Sequence, residues 1–252
     1  MNIALILSGG KGLRLGSDIP KQYLEAGGRP VISYCVETLS MHGGIDAIQI
    51  VAEPVWQEQI SEWLKPADRN KKFKGFSLPG TNRQLSILHG LEDIRVYGAD
   101  ADCVLIHDAA RPFLSAKLIT ECLSAGKGHD GVLPALAMKD TVYVSGDGRR
   151  VTSLLSRSSV FAGQAPELFC LGKYYEANRR LLPEKILEIN GSTEPAIMAG
   201  MDVVMIPGDE RNFKITTKAD LERFREIAGS WRAEPDSGPE FDHSQDRRRD
   251  GT

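Results

Sequence analysis

Short continuous apolar runs alternate with helical periodicity through most of this 252-residue chain. Runs of Val, Ile and Leu that are separated by helix-length stretches are typical of βαβ units, in which helices cover both faces of a parallel sheet. The predicted strands span residues 3–7, 47–51, 75–78, 103–106 and 131–135, and the predicted helices span 31–41, 55–64, 84–97 and 116–125. Ligands of such sheets bind beyond the carboxyl ends of the strands, so the loops after Leu7, Leu78 and Ile106 are the first candidates for a site.

Two regions break this rhythm. Apolar residues at 141–144 and 151–155 flank a Gly-Asp-Gly turn, which predicts a β-hairpin that projects from the sheet as an arm over 138–160. Near the end of the chain, short strands are predicted at 203–206 and 212–215, and Thr217 is the expected N-cap of a last helix. Residues 233–252 are rich in charge and poor in large apolar side chains, and we expect them to be disordered.

The charge balance points away from polyanionic partners. The chain has 31 Lys and Arg against 34 Asp and Glu, and the last twenty residues hold six of the acids and three of the bases, so 28 of each remain in the folded body. A neutral body does not favour binding to nucleic acid or to an anionic membrane. The four cysteines lack a CxxC spacing, and the apolar N-terminal run is too short to span a bilayer. We therefore expect a soluble cytoplasmic protein with buried thiols.

The first loop combines glycines with fixed positive charge. Gly9, Gly10 and Gly12 follow the first strand, and backbone N–H groups can approach a polyphosphate closely where no Cβ stands in the way. Arg14 and Lys21 add two cations beside these glycines. The spacing is neither that of a P-loop nor that of a dinucleotide-binding GxGxxG turn. The loop is interpreted as a phosphate-handling loop.

The second and third loops are less specific by themselves. Gly80 followed by Asn82 fits a nucleotide-binding turn, but it fits a plain capped strand–turn–helix equally well. Asp108, directly after an apolar strand, is placed to hold Mg²⁺ or a sugar hydroxyl, and the alternative is that it caps a turn and pairs with Arg111. His107 has no evident partner for acid–base chemistry, which favours a structural role.

Taken together, these segments resemble the cytidylyltransferases of alditol phosphates, the family that includes the 2-C-methyl-D-erythritol 4-phosphate and ribitol-5-phosphate enzymes. The resemblance covers residues 1–230, with the motifs GGxGxR and PKQY, GxxRxxS, HDAARP, GQAPELF and NFKITT in this order. It implies an α/β fold with a doubly wound, mostly parallel sheet of the Rossmann-like nucleotidyltransferase type, in one domain over 1–232. It also implies a homodimer in which the 138–160 arms interlock.

The same resemblance implies the reaction and the roles of the site residues. CTP and an alditol phosphate would give a CDP-alditol and pyrophosphate with Mg²⁺ as cofactor. Arg14 and Lys21 would hold the triphosphate, Arg157 would bind the acceptor phosphate across the dimer, and Lys214 would bridge the acceptor and α-phosphates. Asp108 would contact the metal or the substrate hydroxyls. The cytidine would be framed by residues of the first two loops: Ser8, Gly9, Gly10, Gly12, Gly80 and Ser86. Arg83 and Arg111 match motif positions and are expected to orient loops.

The motifs leave more than one alditol phosphate as the acceptor of the cytidylyl group. The family carries a threonine in its acceptor pocket, and Asn190 aligns with it when residues are counted back from Lys214 without gaps. HDAARP favours 2-C-methyl-D-erythritol 4-phosphate, a precursor in isoprenoid synthesis, over ribitol 5-phosphate, which would serve cell-surface polymers. Two further alternatives are a sugar-1-phosphate nucleotidylyltransferase, in which HDAARP and the arm are not expected, and a non-catalytic nucleotide-binding regulator.

Overall fold

The predicted alternation of strands and helices is present in the computed structural model, which describes residues 1–10 and 19–231. The strands are β1 (Asn2–Leu7), β2 (Glu25–Ala26), β3 (Arg29–Pro30), β4 (Ala47–Val51), β5 (Phe73–Ser77), β6 (Cys103–Asp108), β7 (Gly131–Ala137), β8 (Tyr143–Val144), β9 (Ser153–Leu154), β10 (Phe161–Gly163), β11 (Glu167–Cys170) and β12 (Val203–Pro207). The α-helices are α1 (Val31–Met41), α2 (Pro54–Ala67), α3 (Arg83–Ile94), α4 (Ala116–Ala125), α5 (Leu171–Arg179), α6 (Glu194–Met198) and α7 (Lys218–Ala228).

The central sheet has eight strands and is mixed. Its order is β10-β7-β11-β6-β1-β4-β5, and β12 also pairs with β7. The strands β6, β1, β4 and β5 are parallel neighbours, whereas β11 runs antiparallel between β6 and β7. The predicted doubly wound, mostly parallel α/β fold is therefore confirmed. The antiparallel strand β11 was not predicted from the sequence.

Continuous apolar runs form the middle of the sheet because both of its faces are covered. In β1, Ala4 and Ile6 pack with α1 and α2 on one face, and Ile3 and Leu5 pack with α3 and α5 on the other face. Residues 47–51 of β4 are all buried. The carboxyl ends of parallel strands meet at one edge of the sheet. Ser77 and Asp108 are the last residues of β5 and β6, and Ser8 directly follows β1, so all three lie at this edge.

Side-chain caps start three of the helices. Asn82 accepts a hydrogen bond from Leu85 N (2.8 Å) at α3, and Ser115 accepts one from Leu118 N (3.2 Å) at α4. Thr217, the predicted N-cap, forms a capping box with Asp220 at α7. A polar side chain at the N-cap satisfies backbone donors that have no partner inside the helix. The caps fix the entry points of helices that leave the ligand-binding edge of the sheet.

The hairpin arm is present, and one predicted strand is wrong. β8 and β9 pair antiparallel, and Asp147 Oδ1 accepts from Arg149 N and Arg150 N (2.8 Å each) in the turn between them. Residues 212–215 do not form a strand, because this segment bonds to loops: Ile215 N donates to Ala110 O (2.9 Å) and Arg111 Nη1 to Asn212 O (2.7 Å). The tail predicted to be disordered, 233–252, lies outside the described residues.

Candidate active site

The start of the first loop is held by two side chains of the PKQY motif. The Gln22 side-chain amide donates to Ser8 O (2.7 Å) and to Gly10 O (2.8 Å), and Tyr23 OH hydrogen-bonds with the backbone carbonyl and the hydroxyl of Ser8. The Tyr23 ring packs against Trp56 of α2 with ring centroids 4.8 Å apart. The backbone carbonyls of Ser8 and Gly10 therefore face Gln22 and Tyr23. Sequence reasoning quoted Gln22 and Tyr23 as motif residues but assigned them no role.

The first and second loops touch through glycines. A Cβ on Gly9 would lie 2.6 Å from Pro79 Cβ, and a Cβ on Gly80 would lie 2.3 Å from Leu85 Cβ, so neither position has room for a side chain. Gly80 N donates to Ser86 Oγ (2.9 Å). Five of the predicted nucleotide-binding residues thus lie in these two adjoining loops or in the first turn of α3, where Ser86 is: Ser8, Gly9, Gly10, Gly80 and Ser86. Gly12 and Arg14 lie outside the described residues.

The third loop carries a buried carboxylate surrounded by cations. Asp108, 7% exposed, forms ion pairs with Arg83 (3.2 Å), Arg111 (3.5 Å) and Lys214 (3.0 Å). Burial alone would raise the pKa of Asp108, but the charges of Arg83, Lys214 and Arg111 hold it well below its usual range. We call these four residues the Asp108 cluster. Its three cations and one carboxylate leave an excess of two positive charges, which suits an anionic ligand.

Three other predicted site residues belong to other segments of the chain. Lys21 occupies a 3₁₀ turn, Lys21–Tyr23, beside the first loop. Arg157 is exposed at the base of the arm and donates to Lys139 O (3.2 Å). Asn190 is exposed, and its amide donates to Glu188 O (3.0 Å). The geometry gives Asn190 no contact with Asp108, so its role in substrate binding stays a prediction.

The segment around Asn190 reaches the site through its neighbour Ser192 instead. Arg83 Nη1 donates to Ser192 Oγ (2.6 Å), and Tyr174 OH donates to Ser192 O (2.6 Å). Ser192 was missed because counting back from Lys214 without gaps points to Asn190. The buried polar chain continues from Tyr174 to Gln84, the residue that follows Arg83 in α3 (3.0 Å).

His107 has the structural role that the sequence indicated. It is fully buried, and its Nε2 lies 2.9 Å from Arg111 O. Burial lowers its pKa to about 4, so the ring is neutral at physiological pH. The side chains of His107 and Asp108 point to opposite faces of the sheet because they are consecutive in β6.

The residues that the structure describes do not fit a magnesium ion held by Asp108. Mg²⁺ requires oxygen ligands in octahedral geometry and is usually bound by one or two carboxylates together with substrate phosphates. Both oxygens of Asp108 already face cations, and residues 1–10 and 19–231 contain no group of three or more His, Cys, Asp or Glu side chains arranged to hold a metal. Asp108 therefore serves as the anchor of three cations in this structure.

Comparison with known proteins decides the family. The family model for IspD, 2-C-methyl-D-erythritol 4-phosphate cytidylyltransferase, matches residues 2–228. The chain belongs to this family. The recognition made from the five motifs is confirmed, and the matching branch is the methylerythritol branch. No helix within the described ranges is both long enough and apolar enough to cross a membrane.

Individual relatives agree with this assignment. The 2-C-methyl-D-erythritol 4-phosphate cytidylyltransferase of Thermotoga neapolitana is 34% identical, over 92% of this chain and 98% of that protein. A bifunctional enzyme IspD/IspF of Maricaulis maris is 36% identical over 87% of this chain, which spans only 55% of that protein's length. The solved 4-diphosphocytidyl-2C-methyl-D-erythritol synthase of Anaerococcus prevotii has a TM-score of 0.75 at 27% identity, covering 91% of this chain and 94% of that one.

Proposed function

We propose that this IspD-family protein transfers the cytidylyl group of CTP to 2-C-methyl-D-erythritol 4-phosphate and releases pyrophosphate, a step of isoprenoid precursor synthesis. The observation that carries the proposal is the Asp108 cluster, which lies at the carboxyl edge of the sheet in a chain whose family is named for this activity. The glycine contacts of the first two loops support a nucleotide site at the same edge.

The chemistry fits a site made of cations without a general base. The nucleophile is an oxygen of the acceptor phosphate, which is already anionic near neutral pH, and it attacks the α-phosphorus of CTP. The bond from that phosphorus to the β-phosphate bridging oxygen then breaks, and pyrophosphate leaves with the electron pair. The obstacle is the approach of one phosphate to another, and fixed positive charge at a defined position lowers that barrier.

We assign roles on this basis. Lys214 is held by Asp108 (3.0 Å) and would contact the acceptor and α-phosphates, and Lys21 and Arg14 would hold the triphosphate. Ser8, Gly9, Gly10, Gly12, Gly80 and Ser86 would frame the cytidine, and Asp108 would accept from hydroxyls of the acceptor. Arg83 and Arg111 would orient these groups through Asp108.

We also propose a homodimer in which Arg157 of each arm completes the site of the other copy. Five arm residues expose large apolar side chains: Tyr143 (59%), Val144 (38%), Val151 (66%), Leu154 (59%) and Leu155 (42%). Solvated hairpins of this length are unstable alone, and apolar side chains on them indicate a packing partner. Arg157 lies at the base of this arm.

The cofactor and the location of the enzyme complete the proposal. Magnesium dependence is proposed with the ion held by oxygens of CTP, because Asp108 faces three cations in this chain. A cytoplasmic location is supported by four cysteines that are all free thiols. Only Cys35 and Cys122 are buried as expected, and Cys103 and Cys170 are half-buried.

Pyrophosphate release by the purified protein tests the reaction. The panel combines CTP, UTP, ATP or GTP with 2-C-methyl-D-erythritol 4-phosphate, ribitol 5-phosphate or a hexose 1-phosphate, each with MgCl₂ or with EDTA. We expect turnover with CTP and the methylerythritol phosphate, and only with MgCl₂. Preference for ribitol 5-phosphate would reassign the acceptor, and folded protein that binds CTP without turning over any acceptor would contradict the proposed reaction.

A further inference from the structure

A second buried carboxylate lies next to the Asp108 cluster. Glu167 is the first residue of β11 and is 8% exposed. It lies opposite Ile106 of β6, two residues before Asp108. Residues directly opposite each other in neighbouring strands point to the same face, and so do residues two apart in one strand. The side chains of Glu167 and Asp108 therefore share one face of the sheet.

Both carboxylate oxygens of Glu167 bind the turn that precedes α6. Ser192 Oγ donates to Glu167 Oε2, and Thr193 Oγ1 donates to Glu167 Oε1 (3.3 Å). Ser192 and Thr193 are themselves buried, at 1% and 9% exposure. Burial raises the pKa of Glu167, an effect that the nearby charge of Arg83 and the hydrogen bond from Ser192 oppose. The Glu167 carboxyl group is thus buried despite the cost of removing it from water, and its hydrogen bonds go to Ser192 and Thr193.

The contact with Glu167 determines what Ser192 offers to Arg83. A serine hydroxyl has one proton and two acceptor lone pairs. Because the proton is donated to Glu167, a lone pair is left to accept from Arg83 Nη1 (2.6 Å). The other side of the same guanidinium donates to Asp108 Oδ1 from Nη2 (3.2 Å). Glu167, Ser192, Arg83 and Asp108 form one continuous line of hydrogen bonds into the cluster.

We propose that Glu167 is a positioning residue for the acceptor side of the active site, acting through Ser192 and Arg83 on Asp108. It holds residues 190–194 against the cluster and sets the direction of the Arg83 guanidinium. The inference rests on the proposed function, because it assigns this segment to the acceptor alditol phosphate. The nucleotide side has separate supports, namely Gln22 and Tyr23 under the first loop.

The inference predicts that a change at Glu167 affects the kinetic constants for the acceptor more than those for CTP. In Glu167→Ala, Ser192 and Thr193 lose their acceptor, and the cost of an unsatisfied buried polar group corresponds to roughly 10–100-fold in binding or rate. We expect kcat/KM for 2-C-methyl-D-erythritol 4-phosphate to fall by that factor, mainly through KM, and KM for CTP to stay within about twofold. Glu167→Gln keeps one side-chain oxygen that can still accept from Ser192 Oγ and turns its amide N–H towards Thr193 Oγ1, so it should recover most of the loss.

Glu37 supplies a matched control. It is also a buried carboxylate, with a side chain 5% exposed, and it pairs with Arg29 and Arg69, which do not belong to the site. Glu37→Ala removes a comparable buried charge. It should lower Tm but leave the ratio of the KM for the acceptor to the KM for CTP unchanged. Equal changes in both KM values in Glu167→Ala, or a loss confined to Tm as in Glu37→Ala, would overturn the positioning role.

Amide hydrogen exchange tests the same inference without turnover. We expect peptides that cover residues 190–194 to exchange at least about tenfold faster in Glu167→Ala than in the wild type. Glu167→Gln should largely restore the wild-type exchange rate, and Glu37→Ala should leave it unchanged. Unchanged exchange in this segment would contradict the inference. If Glu167→Ala does not fold, Ser192→Ala and Thr193→Val provide the same kinetic comparison. A wild-type protein that turns over no acceptor would refute the proposed function instead, and the exchange experiment would still decide the role of Glu167.

Discussion

At the scale of single residues, the two arginines of the Asp108 cluster each have a second contact. Arg83 also binds Ser192 (2.6 Å), and Arg111 also binds Asn212 O (2.7 Å). Lys214 has a side chain 36% exposed, the most accessible of the three cations. Loss of a single cation therefore leaves Asp108 paired. The most accessible cation is also the one best placed to exchange the carboxylate for a substrate phosphate.

We expect Lys214→Ala to lower kcat by about 10²–10³-fold, as the loss of one preorganised donor to a charged transition state does in other enzymes. Tm should change little, because Arg83 and Arg111 still neutralise Asp108. Steady-state kinetics and thermal melting of the same preparation provide the check. Lys218→Ala, in the exposed first turn of α7, is the control and should behave as wild type. A rate near that of wild type in Lys214→Ala would remove this residue from the mechanism.

At the scale of elements, α7 packs against the body of the protein through an aromatic cluster. Its buried residues Leu221 and Phe224 pack with Tyr34 of α1 and with Phe113, which follows the HDAARP motif. Phe113 and Phe224 have ring centroids 5.2 Å apart. Three residues separate Lys214 from the first residue of α7, Lys218. The position of the helix start therefore constrains the backbone that carries Lys214. The capping box at Thr217 and Asp220 consequently affects both stability and the site.

Asp220→Ala should destabilise the fold by about 0.5–2 kcal/mol near neutral pH, because three N–H or O–H donors of Thr216 and Thr217 lose their acceptor. Burial raises the pKa of Asp220, but the hydrogen bonds from these threonines outweigh it and lower the pKa to about 2. A carboxyl with a depressed folded pKa contributes stability above its unfolded pKa and loses it as pH falls towards the folded value.

The difference in stability between the wild type and Asp220→Ala should therefore be full at pH 6 and shrink as the pH falls from about 4 towards 2. Urea denaturation of both proteins across this range measures it. Glu222→Ala, an exposed acid on the same helix, should show neither the destabilisation nor the pH dependence. A pH-independent difference would mean that Asp220 acts through packing and not through its charge.

At the scale of the whole molecule, the proposed dimer would place Arg157 of each arm in the site of the other copy. Arg157 contacts Lys139 O within the arm, whereas Lys21 and Lys214 belong to the body. In a dimer with exchanged arms, a subunit with a defective arm and a subunit with a defective body form one intact site and one doubly defective site. This arrangement makes complementation between two inactive variants a direct test.

Arg157→Ala and Lys21→Ala should each be nearly inactive alone, and random dimers formed from equal amounts should recover about one quarter of the wild-type activity. Two affinity tags identify the mixed dimers, and light scattering measures the mass of the wild type. Mixing Lys21→Ala with Lys214→Ala is the control and should recover nothing, since both changes are in the body. A monomeric mass, or confirmed mixed dimers without activity, would refute the exchanged-arm site.

The α/β architecture and the family could be predicted from the amino-acid sequence, together with a candidate site. The helices at 31–41 and 116–125 were predicted with the bounds that the structure has, because apolar periodicity and caps are local properties of the chain. The loops that follow β1, β5 and β6 were predicted as the candidate site because strand ends of a parallel sheet share one edge. The motifs in these loops indicated the family that the comparisons confirmed.

Which side chains meet at that edge depends on how distant segments of the chain pack. Segment 212–215 reads as a strand by composition but bonds to loops, and the antiparallel β11 carries Glu167 to Ser192, twenty-five residues away in sequence. Asn190 and Ser192 are two residues apart, yet only Ser192 contacts Arg83. Local patterns encode periodicity and turns, whereas such contacts depend on long-range packing and on where buried polar groups find partners. That packing arranges three cations around Asp108, for which the sequence alone left open a metal, a substrate hydroxyl or a pairing with Arg111.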